Sequence, residues 1–555
     1  MFRSNNFSAI SRAFIVAAIV VILVPYAGAD VTFVAGDVSG VWTADSVIVI
    51  DSVRVPAGES LAIVPGVTVL FTSYYKFEVL DNAVLHAVGT ATDSIKFLPF
   101  TQGDRTLGID FINASDQSVM EYCYISDALT SGIHLENSDI TVRNCLIENS
   151  EAPTGSDGGG GIEVLNGSNA LIENNIIRDN YSADYGGGIY VSASSPVIIG
   201  NTISGNIAGY YGHAYGGGIY VANNSNPQIM NNVITDNAVH PSGSFTIRNG
   251  GGGGIFVSGG SGIVISGNVI SDNLVNAEPQ TRSNGGGIYV SSSNPYVSNN
   301  HITGNEAEGD NGGGVYLNGA DAQLINNTIA YNVANDSGGG LYLQNSSPLV
   351  VNSIVYFNQA DYGHQIFESN SFTAVYYSDV QGSWPGVGNL DVDPLFRDAV
   401  AGDYHLQAQM CGDQFDSPLI DVGSPEYADS LVACEWGLGT ELSDMGAYGG
   451  GALGSPTSVD DDNIVATPSQ FFTVSNYPNP FNATTTIRYR LAEPSHVTID
   501  IYDDLGRKVT NLVNRRQLAG EHNVEWNASN VASGMYFYRL EINGYSKNAK
   551  MLLLK

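Results

Sequence analysis

The sequence predicts an all-β protein, in which a parallel β-helix is followed by a small β-sandwich. Its main evidence is a motif that occurs seven times within residues 159–358, a glycine triplet followed by an apolar-aromatic-apolar trio in six copies and by Ile-Glu-Val in the first. The triplets begin at Gly159, Gly186, Gly216, Gly252, Gly285, Gly312 and Gly338, and they recur every 26 to 36 residues. About 15 residues after each of the first six triplets starts comes Asn-x-(Ile/Leu)-x-x-Asn, and a variant that begins at Ser353 follows the last. A fixed period of this length indicates stacked repeats, and helical periodicity is nearly absent.

Residues 1–29 have the pattern of an export signal. Arg3 and Arg12 supply positive charge, an apolar run follows, and Ala27-Gly28-Ala29 is a small-residue cleavage site. We expect cleavage between Ala29 and Asp30. The alternative, a retained membrane anchor, needs about 20 apolar residues. No later segment is apolar enough to span a bilayer, so we do not expect an integral membrane protein after signal removal.

The charge balance limits the range of partners. The chain has 21 Lys and Arg against 55 Asp and Glu, for a net charge of −34. This excess of negative charge argues against nucleic acid as a partner. The chain has no lysine between Lys96 and Lys508, and only six arginines lie between Lys96 and Gly450, so a polyanion is not expected to bind across the whole surface.

Four cysteines are too few for a disulfide framework in an exported chain of 555 residues. Cys123 and Cys145 stand two residues before Ile125 and Ile147, so they are expected on neighbouring turns as small buried hydrophobes. Cys411 and Cys434 lie in a loop-rich region and are the candidates for a disulfide.

From residue 30 to about 111 the chain shows short β-rich runs at a spacing of roughly ten residues. These runs are Val47–Ile50, Leu61–Val64, Val67–Phe71, Val84–Val88 and Ile95–Leu98. In each repeat, as at Ile189 and Val191, two aliphatic residues flank an aromatic one with period two, so the aliphatic pair is expected to face inward. A second strand and an Asn-x-Ile strand follow. Three such strands bury their apolar faces only if the chain coils and each strand pairs in parallel with the equivalent strand of the next turn.

Three sets of repeated residues are expected to support the stack. The asparagines, at 175, 201, 232, 268, 300, 327 and at 180, 206, 237, 273, 305, 332, can form amide ladders and tolerate left-handed corners. The glycines suit close backbone packing or positive φ. The outward aromatics Tyr190, Tyr220, Phe256, Tyr289, Tyr316 and Tyr342 form a column. We interpret it as a stacking ladder, with a carbohydrate platform as the alternative.

The repeat resembles a known family. Gly-Gly-Gly-Ile-Tyr-Val followed by Pro-x-Ile and Asn-Asn-x-Ile-x-x-Asn is similar to the right-handed parallel β-helix repeat of secreted bacterial proteins, and to repeats of polymorphic outer-membrane adhesins. Asp391–Phe396 and Asp444–Tyr448 resemble the segment that often ends such proteins. The resemblance implies a right-handed parallel β-helix over residues 30–360, then its C-terminal end with a loop-rich cap over 361–450. These proteins share no single activity.

The C-terminal end differs in composition. A linker over residues 451–470 leads to residues 471–555, where Tyr477–Asn482, Ser533–Leu540 and Lys550–Lys555 resemble the C-terminal sorting domain of type IX secretion cargo. Alternating apolar residues such as Val497, Ile499 and Ile501 fit an immunoglobulin-like β-sandwich. The resemblance implies export by the type IX machinery and a protein that is secreted or anchored to the outer-membrane surface. An ordinary immunoglobulin-like module is the alternative.

Variable loops at one corner mark the candidate site. The segments from closing Asn to next triplet reach 9, 14 and 11 residues after Asn206, Asn237 and Asn273. The residues just before the triplets are expected to stack about 4.8 Å apart, as the column Asp157, Asp184, His213, Arg248, Arg282, Asp310 and Asp336. The predicted ligand-binding residues are Asp184, Tyr185, Tyr211, His213, Tyr215, Phe245, Arg248, Arg282 and Asp310. The alternative is a set of solvated, self-neutralising loop tips.

We expect this corner to bind an extended ligand, a glycan or another surface ligand, without catalysis. One alternative is a polysaccharide lyase-like enzyme, with His213, Arg248 and Arg282 as catalytic candidates and Ca²⁺ held by Asp184 and Asp310. A hydrolase needs carboxylates about 5 to 9.5 Å apart, and in the column three turns lie between Asp184 and Asp310. The motifs of polygalacturonase-like β-helices are also absent from the repeats. A further alternative is an adhesin or passive stalk.

Overall fold

The computed structural model describes residues 30–153, 158–209, 212–241, 248–276, 281–427, 429, 434, 438–440, 442–449, 474–477, 481–491, 495–503, 507–517, 520–532, 534–542 and 545–553. The chain divides into two compact units between Ser458 and Val459. The predicted signal peptide and the predicted linker lie outside the described residues. Within the described ranges no helix has the length and hydropathy that a membrane span requires.

The first unit is a parallel β-helix in which successive turns add strands to three long sheets. Sheet 1 contains Phe77–Val79, Ile109–Ile112, Ile133–Glu136, Ile162–Leu165, Ile189–Ser192, Ile219–Ala222, Ile255–Ser258, Ile288–Ser291, Val315–Asn318, Leu341–Gln344 and Ile366–Ser369. Sheet 2 contains Gly40–Trp42, Ser60–Ile63, Val84–Val88, Val119–Glu121, Thr141–Arg143, Leu171–Glu173, Val197–Ile199, Gln228–Met230, Val264–Ser266, Tyr296–Ser298, Gln323–Ile325, Leu349–Val351 and Ala374–Tyr376.

Sheet 3 contains Thr68–Phe71, Ile95–Pro99, Cys123–Ser126, Leu146–Glu148, Ile176–Arg178, Thr202–Ser204, Val233–Thr235, Val269–Ser271, His301–Thr303, Thr328–Ala330, Ile354–Tyr356 and Asp379–Val380. The opening strands Val31–Asp37 and Ser46–Val55 pair with each other, and the second joins sheets 1 and 3. A short sheet 4 follows sheet 3 at the variable corner, with strands Glu151–Ala152, Tyr181–Ser182, Ile207–Ala208, Ala238–Val239, Leu274–Val275, Glu306–Ala307 and Val333–Ala334.

The core confirms the inward and outward assignment of the repeat. Ile189 pairs with Ile219 and Val191 with Val221, and all four side chains are fully buried. Because every turn repeats this pairing, each aliphatic side chain packs on its equivalents above and below. The apolar faces that no single repeat could cover are therefore buried by neighbouring turns.

The amide ladders are also confirmed. Asn206 donates from its backbone N and its Nδ2 to Oδ1 of Asn237, at 3.1 and 2.9 Å, and the same pattern continues through both columns. The left-handed corner residue, however, stands before the ladder asparagine, as at Asp236 with φ 56°. In the repeat before Asn180, Ser150 rather than Asn149 occupies the ladder position, because its N–H donates to Oδ1 of Asn180 at 3.0 Å.

The glycine triplets are required for two separate reasons. The first glycine of each triplet has positive φ, as at Gly216 with φ 67°. The third lies against the next turn, and a Cβ on Gly218 would stand 2.7 Å from the backbone oxygen of Gly254. Both roles that the sequence predicted for these glycines are confirmed.

Residues after Val380 leave the coil and lie along the outer face of sheet 3. Oδ1 of Asn352 accepts a hydrogen bond from the Ser424 N–H at 2.6 Å, and its backbone oxygen accepts one from Gly446 at 2.7 Å. This cap contains the antiparallel strands Phe396–Asp398 and Asp403–Leu406, the 3-10 turns Ala399–Ala401 and Gln409–Cys411, and a disulfide between Cys411 and Cys434.

Cys123 and Cys145 are buried free thiols on neighbouring turns, and the Cys123 N–H donates to Sγ of Cys145 at 3.4 Å.

The second unit is a β-sandwich of two antiparallel sheets. One sheet contains Val474–Tyr477, Thr484–Leu491 and Gly520–Asn527, and the other contains Lys508–Gln517, Ser495–Asp503, Gly534–Ile542 and Tyr545–Leu553. Val497, Ile499 and Ile501 are fully buried between the sheets, as their alternation predicted.

Candidate ligand-binding edge

The long loops at the variable corner build a parallel sheet of their own outside the coil. Its strands are Ala214–Tyr215, Arg248–Gly251 and Thr281–Asn284, and we call it the edge sheet. A small apolar cluster, Ala208, Ala214, Val239 and Val275, is fully buried between this sheet and sheet 4. The loops are therefore an ordered extra layer with a core of its own.

The register of the edge sheet corrects the predicted single column. Ala214 pairs with Gly250 and Gly250 with Ser283, and bridges on either side bring Asp184 and Asp310 into that same column. Asn249 pairs with Arg282, so Arg282 lies one residue outside the column that contains Gly250 and Ser283. The predicted members stand two, three or four residues before their triplets, partly because residues 250–254 are five consecutive glycines.

Carboxylates and cations therefore occupy two neighbouring columns. By this register His213, Asn249 and Arg282 share the second column. Arg282 is exposed, whereas Ala214 and Ser283 of the first column are buried. The alternation expected of a strand thus turns Arg282 toward solvent.

Asp310 and Arg282 form the most polar part of the edge. Oδ2 of Asp310 accepts a hydrogen bond from the Ser283 N–H at 3.1 Å. Burial raises the pKa of Asp310 above its ordinary value, and the charge of Asp336 adds to the shift, while the Ser283 N–H and the Arg282 charge oppose it. This half-buried carboxylate beside an exposed guanidinium presents acceptors and donors side by side.

His213 is held by the backbone of the next strand. Its Nδ1 accepts a hydrogen bond from the Asn249 N–H at 2.9 Å, so the proton of the neutral ring lies on Nε2. One layer further in, Nδ2 of Asn276 contacts Nδ1 of His240 at 2.5 Å, and Oγ of Ser283 donates to the Asn276 backbone oxygen at 2.6 Å.

The aromatic column is a ladder of packed rings, as the sequence predicted, in which the rings stack except at Tyr289, whose ring meets both neighbours edge to face. Successive ring centroids along Tyr190, Tyr220, Phe256, Tyr289, Tyr316, Tyr342 and Phe367 are 4.6 to 5.4 Å apart. Tyr185 and Tyr215 lie over this ladder, with Tyr185 at 4.9 Å from Tyr220 and Tyr215 at 4.5 Å from Phe256. Burial raises the pKa of Tyr215 and Tyr220 well above the usual range. The edge thus covers much of the ladder.

Part of the predicted site cannot be placed. Asp157, Tyr211 and Phe245 lie outside the described residues, and Arg248 is described only as part of a strand. The structure brings together His213 and Arg282 in one column and Asp184 and Asp310 in the other.

The comparisons with known proteins identify the fold. The family model described as right-handed beta helix region matches residues 107–245 and 243–389, more than half of the chain. The chain belongs to the right-handed β-helix family. This β-helix protein also matches the secretion system C-terminal sorting domain over residues 475–554. It is therefore exported, and is either secreted or attached to the outer-membrane surface.

No curated protein matches this β-helix protein. Among solved structures it is similar to tailspike proteins of E. coli bacteriophage HK620. One is a mutant in complex with a pentasaccharide, at 12% identity, with a TM-score of 0.27 and coverage of 98% of this chain and 88% of that chain. Another, in complex with a hexasaccharide, has 13% identity, the same coverage and a TM-score of 0.24.

The geometry of the edge bears on the enzymatic alternatives. Asp184 and Asp310 are four turns apart in their column, about 19 Å at the usual strand spacing, so they cannot act as a glycosidase pair or share one calcium ion. Burial raises the pKa of Asp184. In the described part of the β-helix, no three His, Cys, Asp or Glu side chains are placed to hold a metal ion.

A charged cluster that sequence reasoning missed lies on sheet 1, below the aromatic ladder. Asp110, His134 and Glu163 occupy three successive turns at the ladder position, and Glu163 pairs with Tyr190. Nδ1 of His134 lies 2.7 Å from Oε2 of Glu163, and Lys76 forms an ion pair with Asp110. The glycine triplet is the strongest signal of the repeat, and the two turns below Gly159 lack it, so the register of these turns was not evident.

Burial acts to lower the pKa of His134, but its hydrogen bond to Glu163 and the charges of Glu163, Asp110 and Glu136 outweigh burial and raise the pKa above its ordinary value. Each member of the cluster has a partner of opposite charge. We interpret it as a charged continuation of the ladder that supports the first turns.

Proposed function

We propose that this exported β-helix protein binds an extended glycan along the edge sheet. The observation that carries the proposal is the pairing of two columns, one with His213 and Arg282 and one with Asp184 and Asp310, on a sheet outside the main core. Arg282 is exposed, and its charge acts on the half-buried carboxylate of Asp310. Perturbed carboxylates beside such a cation are typical of functional sites.

The chemistry of the two columns suits sugar hydroxyl groups. The guanidinium of Arg282 and the Nε2–H of His213 donate hydrogen bonds to sugar hydroxyl groups. The carboxylates of Asp184 and Asp310 lie in the other column and are only half-buried, so they remain able to accept hydrogen bonds. Tyr185 and Tyr215 are half-buried beside the edge and offer ring surface for stacking. Three parallel strands about 4.8 Å apart repeat these groups in the direction of the coil axis, which suits a ligand that is itself a chain.

A polysaccharide lyase is the second candidate, and the register does not favour it. Arg248 pairs with Thr281 and not with Arg282, so the two arginines do not stand at one position to neutralise one uronate. A passive stalk has no need of an exposed Arg282 at the tip of an ordered layer.

A glycan array probed with the mature protein tests the proposal. A hit is then titrated against the His213→Ala, Arg282→Ala double variant, and we expect affinity to fall at least about tenfold. Arg143→Ala is the matched control, because Arg143 is also surface-exposed but lies on sheet 2, paired with Glu121 at 2.8 Å. Affinity that is unchanged in the double variant would rule out the edge sheet as the binding site. Release of unsaturated products from uronate polysaccharides would instead favour the lyase.

A further inference from the structure

A groove outside the edge sheet lies at the same corner, on the turns that immediately precede this sheet. It is open, with a volume of about 400 Å³, and is lined by Arg105, Asn149, Ser150, Glu151, Asp179 and Tyr181. Its volume is within the range of ligand sites. None of these residues belongs to the long loops after Asn206, Asn237 and Asn273 that drew attention to the corner.

The cationic wall of the groove is held in place by two contacts. The Arg105 guanidinium donates to the backbone oxygen of Asn149 at 2.5 Å and to Oε2 of Glu151 at 3.0 Å. It reaches across the turn that contains Ala128, since Thr106 bridges to Ala128 and the Glu151 N–H donates to the Ala128 oxygen. Its side chain is still 31% exposed. A planar group with five donors in a fixed orientation is suited to recognise paired hydroxyl oxygens.

The opposite wall combines a ring with a carboxylate. Tyr181 pairs with Glu151 of the preceding turn, so the backbones of the two residues lie about 4.8 Å apart along the coil. Asp179 has a left-handed backbone with φ 55°, and its carboxylate is 58% exposed and 3.9 Å from Nε of Arg178. The groove thus offers a ring face, fixed donors and an exposed acceptor.

We propose that this groove is a second saccharide-binding site, which takes a neutral sugar residue. The Glu151 carboxylate already compensates the Arg105 charge, and Asp179 adds a negative charge. A uronate or phosphate would therefore be repelled, all the more by a chain of net charge −34. The lining side chains supply polar groups and one aromatic ring, a set that matches the hydroxyls and the apolar face of a neutral pyranose.

This proposal goes beyond the edge sheet, because it uses none of the same residues. It also predicts that the two sites respond to different substitutions. The column that starts at Glu151 and Tyr181 continues through Ile207 to Ala238, beside the edge sheet. A long glycan can therefore occupy both the groove and the edge sheet.

The test is isothermal titration of the mature protein with neutral cello-, xylo-, manno- and chito-hexaoses, and with hexagalacturonate. We expect at least one neutral hexaose to bind, and Tyr181→Ala to weaken it about tenfold. Asp179→Asn keeps a residue that tolerates the left-handed backbone and is expected to weaken binding several-fold. Arg143→Ala is the control that leaves affinity unchanged, and thermal melting checks that each variant is folded.

The proposal is overturned if no neutral hexaose binds, if Tyr181→Ala and Asp179→Asn leave affinity unchanged, or if hexagalacturonate binds more tightly than the neutral sugars. Arg282→Ala, measured in parallel, separates the two sites. Loss of binding in Arg282→Ala alone would refute the groove and support the edge sheet. Loss of binding in Tyr181→Ala alone would support the groove and refute the edge sheet as the site that binds these hexaoses.

Discussion

The inside and the outside of one corner of this β-helix follow opposite rules. On the inside, a fully buried asparagine occupies the same position in successive turns, as at Asn206 and Asn237. Each side-chain amide donates a hydrogen bond to the asparagine of the next turn. On the outside, loops of unequal length build the edge sheet, and the residue changes from Ala214 to Gly250 to Ser283 along one column and from His213 to Asn249 to Arg282 along the next. Buried backbone groups must be satisfied in each turn, which fixes the inside. The outside has no such requirement, so it can differ from turn to turn and carry binding.

The largest expected effect comes from breaking the interior ladder. Asn237→Ala removes the acceptor for both Asn206 donors and the donor to the Ile203 oxygen, which lies at 2.8 Å. Several buried polar groups then lose their partners, and we expect a loss of about 3–5 kcal/mol in the free energy of unfolding, measured by chemical denaturation. Asn294→Ala is the control, since Asn294 is exposed and accepts one bond from the Asp321 N–H. A cost below about 1 kcal/mol at Asn237 would contradict the ladder's role.

A smaller effect is expected where the cap meets sheet 3. Asn352→Ala removes an acceptor for Ser424 and a donor to Ser443, at 2.6 and 3.0 Å. We expect a loss of about 2–3 kcal/mol and faster proteolysis within residues 381–449. Asn345→Ala is a close control, because Asn345 has φ 50° against 51° for Asn352 but is exposed. Equal effects of the two substitutions would attribute the loss to the backbone rather than to cap contacts.

The charged cluster gives an effect that depends on pH. The raised pKa of His134 means that the folded state binds its proton more tightly than the unfolded chain does. Its stabilisation is complete below a pH of about 6.5 and is lost as the pH rises through the folded pKa. His134→Gln is expected to cost about 1–2 kcal/mol at pH 5.5 and less at pH 8.5, and His86→Gln, at an exposed histidine, is the control substitution. A cost at His134 that does not change with pH would exclude the ion pair with Glu163 as its cause.

The smallest effect on stability is expected at the edge, where the effect on binding is largest. Arg282 is exposed, so Arg282→Ala is expected to change the free energy of unfolding by less than about 0.5 kcal/mol. Thermal melting against the unsubstituted protein measures this. Clear destabilisation would mean that Arg282 supports the edge sheet instead of serving a ligand.

The sequence predicted most of the interior and only part of the edge. The register of the coil can be read from the period-two alternation at Ile189 and Val191 and from the repeated asparagines. This is possible because each turn must provide hydrogen-bond partners for the same backbone groups. At the edge, Arg248, Arg282 and Asp310 stand at different distances from their triplets, and only strand pairing shows which of them align. Asp110, His134 and Glu163 were missed because the turns at Asp110 and His134 lack the triplet that marks the ladder position.

Hydrogen–deuterium exchange of the mature protein, with and without the glycan selected by the array, tests the central claim most directly. The account predicts that the glycan slows exchange in residues 212–215, 248–251 and 281–284 and around Asp310, while the buried strands of sheet 3 stay unchanged. Protection that is confined to the outer face of sheet 2, or a bound glycan that leaves these edge segments unprotected, would contradict it.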